Sequence, residues 1–393
     1  MEIHNDNLGI ADPDLKQLGA YFTAKEIGQQ PNLWLKLHNQ TKVILADLQK
    51  FLVKAFATEN LEIILTGAGS SAFIGDVLEG PIQRETGIRT KSVATTDLVT
   101  HPELTFTKDK TVLLISFARS GNSPESSKSL ELADQLSKKA YHLIITCSPE
   151  SDLLLHAKGK DCFVYFMPEE SNDQSLAMTS SFTCMLLAGL FVSRINRFDS
   201  TEEQVKIICR YGAFLLDECV DKISSIADLD FKRAVFLGSG LFGGIAEESH
   251  LKLQELTNGK VICKCDTFLG FRHGPEVVID KGTLVTYIFS NNQYVNKYEK
   301  DLVRSVKKSS QYLYSVGIME EDLDVELDCK IILSTNGIHA EEDFLAVVSV
   351  LPAQLLGFYK SIKAGLQPDT PSENGLIHRV VQGVNIYPYA AKI

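Results

Sequence analysis

The chain has 393 residues, 44% of them hydrophobic and 23% charged, a balance that supports folded cores and more than one domain. A net charge of −11 with no basic cluster argues against nucleic acid as a partner, and no apolar run reads as long enough to span a bilayer. The opening Met1-Glu2-Ile3-His4-Asn5 has neither a basic n-region nor an apolar h-region, so a cytoplasmic location is expected.

In chain order, residues 1–58 read as a helical lead-in. Ile44, Leu48, Phe51, Leu52 and Ala55 recur at helical spacing, and Pro31 suits a helix start. The continuous apolar run Glu62–Thr66 then reads as a buried parallel strand, followed by Gly67-Ala68-Gly69-Ser70-Ser71 and a helix. Further strands are expected at Thr111–Ile115, His142–Thr146 and Cys162–Tyr165. The pattern restarts at Ala234–Leu237 and Gly238-Ser239-Gly240, 171 residues later (238 − 67), with strands at Thr283–Phe289 and Lys330–Ser334. Strand–helix alternation repeated in this way predicts an internal duplication: two tandem α/β domains, each a parallel sheet flanked by helices. The domains are placed at 59–200 and 201–393. The eight scattered cysteines form no CxxC pair, and Cys263-x-Cys265 has the wrong spacing for a zinc knuckle. Buried free thiols are expected, with no metal and no cofactor.

Ligands of parallel α/β sheets bind beyond the carboxyl ends of the strands. Two loops of the first domain sit there with the right chemistry: Gly67–Ser71 and Ser116–Glu125, the latter containing Arg119-Ser120-Gly121-Asn122-Ser123. Glycine lets the backbone approach an anion, helix-start N–H groups point at it, and hydroxyls add donors. Such serines can instead merely cap helices; two such loops in one domain favour an anion site. A dinucleotide loop is disfavoured because Ala72 occupies the third glycine position. In the second domain Leu241-Phe242 and Ser290-Asn291-Asn292-Gln293 stand at the matching places, so one phosphate site per chain is expected.

The second domain carries ionisable residues instead. Glu248, Lys252 and Glu255 fall on one helical face, which taken alone could be a solvated salt-bridge ladder. Gly270-Phe271-Arg272-His273-Gly274-Pro275 is a tight turn holding a histidine, a side chain suited to proton transfer near neutral pH.

These phrases, with Ala177-Met178-Thr179-Ser180-Ser181-Phe182-Thr183 and Lys252-Leu253-Gln254-Glu255, resemble the sugar isomerase (SIS) domain proteins over nearly the whole chain. The chain is similar to the isomerase half of glutamine:fructose-6-phosphate amidotransferase, and more so to the tagatose-6-phosphate ketose/aldose isomerase group, which includes galactosamine-6-phosphate deaminases. Its closing Asn374–Val384 is similar to that group's tail. The resemblance implies that Gly69, Ser70, Ser71, Arg119, Ser120 and Ser123 hold the phosphate and nearby sugar oxygens. It makes Glu255 the base between C1 and C2, puts Lys252 beside the developing charge, and has His273 open the ring from a neighbouring subunit. His378 and Arg379 stand where the amidotransferase has a sugar-contacting lysine. Arginine forms no Schiff base, so they are expected to bind substrate only. The function implied is deamination and isomerisation of galactosamine-6-phosphate to tagatose-6-phosphate by a homo-oligomer. The alternatives are isomerisation of a non-amino hexose phosphate and a non-catalytic sugar-phosphate sensor. A DNA-binding sensor would need a basic helix-turn-helix, and residues 1–58 are not basic.

Overall fold

The structure is a computed structural model that describes residues 7–334, 337–373, 375, 377–381 and 383–390. Met1–Asp6 and, in the tail phrase, Asn374, Leu376 and Gln382 lie outside the described residues. Three helices lead in: α1 (Asp12–Gln17), α2 (Tyr21–Gly28) and α3 (Gln30–Phe56), the last with Pro31 in its first turn. The first sheet region follows as β1 (Leu61–Thr66), α4 (Ser70–Thr86), β2 (Thr90–Ser92), α5 (Thr95–Thr100), β3 (Thr111–Ala118), α6 (Pro124–Leu136), β4 (Lys139–Thr146), α7 (Asp152–Ala157), β5 (Cys162–Phe166) and α8 (Ser180–Ser193). Next come α9 (Thr201–Glu218), α10 (Val220–Ala227), β6 (Arg233–Gly238), α11 (Leu241–Leu256), β7 (Ile262–Asp266), α12 (Phe268–Phe271), β8 (Thr283–Ile288), α13 (Gln293–Ser309), β9 (Tyr314–Met319) and β10 (Cys329–Ile332). Helices α14 (Glu342–Ser349) and α15 (Leu351–Lys363) precede the C-terminal tail.

Each half builds a five-stranded, all-parallel sheet, in the orders β2-β1-β3-β4-β5 and β10-β9-β8-β6-β7. The strand order reverses between β1 and β3 and between β6 and β8. The crevices beyond those strand ends are where such folds hold ligands. Three strands go beyond the sequence reading: the three-residue β2, β7, and β9, whose apolar run is interrupted by Gly317. The side-chain ends of Leu327 and Met319 fill the space beside that glycine, 2.5 and 2.6 Å from where a Cβ would sit.

The halves repeat in backbone detail. Gly69 and Gly240, again 171 apart (240 − 69), have φ/ψ of 55°/−130° and 59°/−129° and stand immediately before α4 and α11. A Cβ on Gly67 would sit 2.5 Å from the Ser71 backbone, and one on Gly238 would sit 2.1 Å from the Phe242 carbonyl. Both turns thus need glycine for close approach of the chain to itself. Helices α4 and α11 pack on one another, and equivalent residues meet there. Asp76 faces Glu247 (247 − 76 = 171), and burial, then Asp76, pushes the Glu247 carboxyl up to about 7. A pseudo-two-fold axis therefore passes between these helices. The backbones come close at Gly244, whose added Cβ would lie 2.9 Å from the Val77 nitrogen and 3.0 Å from the Phe73 carbonyl oxygen.

The segment Glu342–Lys363 corrects one expectation: by length and composition its 22 residues could cross a bilayer. Val350 separates it into α14 and α15, and it is mostly buried, with α15 packed on α10 and α11. All eight cysteines are free thiols.

Gly244→Ala is expected to destabilise the protein by about 1–3 kcal/mol, because the methyl group meets backbone that cannot move aside. Urea unfolding measures it; a loss below about 0.5 kcal/mol, typical of an exposed position, would contradict the close contact.

Candidate active site

The two loops predicted for the phosphate flank the switch point of the first sheet. Ser70 and Ser71 open α4 and are buried, and the Ser71 hydroxyl lies 3.7 Å from Met178 Sδ. Neither α4 nor α6 has a side-chain cap on its first turn: Gly69 precedes α4, and the Ser123 hydroxyl turns to Glu125 Oε2 at 2.7 Å. Ser120 and Ser123 are half-buried at this edge. In the second half the matching helix is already capped, since Asn292 Oδ1 accepts from the N–H groups of Tyr294 (2.9 Å) and Val295 (3.4 Å). The same offset puts Ser290 where the first half has Arg119 (290 − 119 = 171). A cavity of about 630 Å³ opens there, lined by Asn291, Glu320, His339 and Glu342 among others, but none of Glu248, Lys252 and Glu255 reaches it.

Those three residues form a buried charge cluster on α11. Lys252 Nζ lies 2.7 Å from Glu255 Oε2 and 3.4 Å from Glu248 Oε1; the side chains are 1%, 20% and 0% exposed respectively. Among the described residues, no hydrogen bond of good geometry reaches either Glu248 oxygen. Burial pushes its carboxyl up to about 7, against the easing effect of Lys252 and of the Ser70 hydroxyl from the first half. Burial acts to lower the Lys252 ammonium, yet the two carboxylates outweigh it and hold the group above the ordinary lysine range. Arg119 opposes Lys252 from across the boundary between halves. The cluster therefore faces the phosphate loops, and Glu255 is its member accessible from outside.

Arg119 is itself buried and donates to the carbonyls of Ser175 (3.4 Å), Leu176 (3.0 Å) and Arg379 (2.7 Å). Arg379 in turn donates to the Asp173 carbonyl (2.7 Å) and Asn172 Oδ1 (2.6 Å). Both arginines thus knit the C-terminal tail to the loop before α8, while His378 is exposed beside them. His273 is also exposed, on the turn after α12, and among the described residues no hydrogen bond or ion pair joins it to Glu248, Lys252 or Glu255.

Two buried acids of this region escaped the sequence reading. Asp173 caps α8, accepting from Thr179, Ser180 and Ser181 N–H groups at 2.8–3.0 Å. Glu26 of α2 receives the N–H groups of Gln174 and Ser175 and the Ser175 hydroxyl. Only Asp173 had a local signal, an acid shortly before a serine-rich helix start.

Lys252→Met should cost about 3–5 kcal/mol, the penalty for stranding a buried charge. The folded state already holds a proton on Glu248 between its ordinary pKa and about 7, so that group's contribution to stability falls as pH rises. Losing Lys252 widens that window, and the loss measured by denaturation should be larger at pH 8 than at pH 5. Equal losses at both values would contradict the coupling.

A model of the SIS domain matches residues 56–192. The D-galactosamine-6-phosphate deaminase AgaS of Shewanella sp. is 40% identical, over 99% of this chain and 97% of that protein. The solved structure of a candidate tagatose-6-phosphate ketose/aldose isomerase from Clostridium novyi superposes with a TM-score of 0.94 at 40% identity and covers 97% of this chain and 99% of its own. The tagatose-6-phosphate ketose/aldose isomerase of Escherichia coli gives 0.88 at 34% identity, over 99% and 100%.

Proposed function

The chain belongs to the SIS-domain family, in the group of these deaminases and isomerases, and on that footing we propose that it converts galactosamine-6-phosphate and water to tagatose-6-phosphate and ammonia in the cytoplasm. One observation supports the reading: the acid–ammonium face of α11 meets the uncapped start of α4, where the Ser70 hydroxyl acts on Glu248, and Arg119 of the second loop acts on Lys252. The helix N-termini and the Ser70, Ser71, Ser120 and Ser123 hydroxyls bind the phosphate, and that remote binding energy holds C1 and C2 beside Glu255. His273 promotes ring opening. Glu255 takes the C2 proton, the C2 electron pair forms the C1–C2 double bond, and the aldehyde oxygen picks up a proton to give an enolamine. Lys252 stabilises the charge that develops at that oxygen. Reprotonation at C1 gives a ketimine; water adds at C2 and ammonia leaves.

Glu255→Gln should slow ammonia release from galactosamine-6-phosphate by about 10²–10⁴-fold, the contribution of a general base, with substrate affinity little changed. A drop of less than about tenfold would remove Glu255 from that role. Wild-type enzyme that isomerises tagatose-6-phosphate but releases no ammonia would favour the plain isomerase that the structural relatives' names describe.

The active unit is a homo-oligomer in which His273 serves the site of a second copy. Its exposure supports this, as do the exposed apolar Leu269 and Val277 on either side of it in sequence. Mixing His273→Ala with Glu255→Gln should restore activity on subunit exchange, because some sites then hold both groups intact. No recovery after demonstrated exchange would place both residues in one chain.

A further inference from the structure

The loop 172–176 is a junction for three separate parts of the chain. From the phosphate loop, Arg119 donates to its Ser175 and Leu176 carbonyls. From the tail, Arg379 holds its Asn172 and Asp173, and the Asp369 carbonyl accepts from Leu176 N–H at 3.0 Å. From the lead-in, Glu26 takes both amides of Gln174 and Ser175 and the Ser175 hydroxyl. The tail is also tied to the start of α2, where the Asp369 carboxylate accepts from Phe22 N–H (3.2 Å), Thr23 N–H (2.8 Å) and Thr23 Oγ1 (2.7 Å). Of these anchors Glu26 alone is a buried acid, and its hydrogen bonds go to the loop rather than to the phosphate-binding serines. Burial, then Asp173, pushes its carboxyl up to about 8.

We infer that Glu26 is a positioning residue for the sugar-phosphate site: it fixes the loop that holds Arg119 and the tail beside the phosphate-binding helix starts. This rests on the proposed function, and it gives the N-terminal helices a part in substrate binding. A glutamine can keep these contacts, since its oxygen accepts from both amides while its amide group donates to Ser175 Oγ, whose own proton then turns fully to the Ala177 carbonyl at 3.2 Å.

The test compares full-length Glu26→Ala, Glu26→Gln and Ser175→Ala with wild type. It reads kcat and KM on galactosamine-6-phosphate, the Kd of galactitol 6-phosphate (an alditol that can neither isomerise nor lose ammonia), and Tm. Glu26→Ala should raise KM and Kd at least about tenfold, the equivalent of one hydrogen bond to a charged group, with kcat within about threefold. Glu26→Gln should restore wild-type values. A lowered Tm with unchanged KM and Kd, or a Gln variant as impaired as Ala, overturns the proposal. If Glu26→Ala does not fold, Ser175→Ala decides: a KM raised about threefold supports it and an unchanged KM overturns it. Absence of ammonia release from wild type would refute the function alone, because the alditol phosphate still reports the positioning effect.

Discussion

The contact between α4 and α11 is the constraint on which the site depends. Gly244 lets the two helices meet backbone to backbone, with Phe73 and Val77 against it. A side chain there would push α11 away from the first half and draw Glu248 away from Ser70. Because α4 begins on the first phosphate loop and α11 carries the charge cluster, their spacing sets the spacing between substrate binding and proton transfer.

The duplicated halves have diverged in opposite directions around this contact. The first half keeps both helix starts without side-chain caps, whereas the second leaves α11 uncapped but caps α13, the counterpart of α6, with Asn292. Conversely, Glu248, Lys252 and Glu255 correspond through the 171-residue offset to Val77, Pro81 and Arg84, none of them an acid or base suited to the chemistry. Each half lacks what the other supplies. Burying Lys252 between two carboxylates keeps it charged, and the same burial pushes Glu248 toward neutrality. One helix face thereby holds ionisable groups in different protonation states near neutral pH.

Much of this was legible in the chain because the signals were local. A continuous apolar run ending in Gly-x-Gly marks a buried strand and its turn, and the turn's repetition disclosed the duplication. The face of α11 follows from spacing alone. Strand β9 was hidden because Gly317 breaks its apolar run, and the Leu327 and Met319 side chains that fill the space beside it leave no local pattern. The roles of Glu26, Arg379 and Asp369 depend on partners 148, 207 and 346 residues away. Arg119 was legible as a residue of the phosphate loop, but its bonds to three carbonyls were not.

The central claim is a composite site, with phosphate bound by the first half and proton transfer from the second. A crystal structure of the Glu255→Gln variant with galactosamine-6-phosphate tests it most directly. The account predicts the phosphate at the starts of α4 and α6, with C2 of the sugar facing residue 255. A phosphate in the cavity beside Asn291 and Glu320, or a C2 turned away from α11, would contradict it.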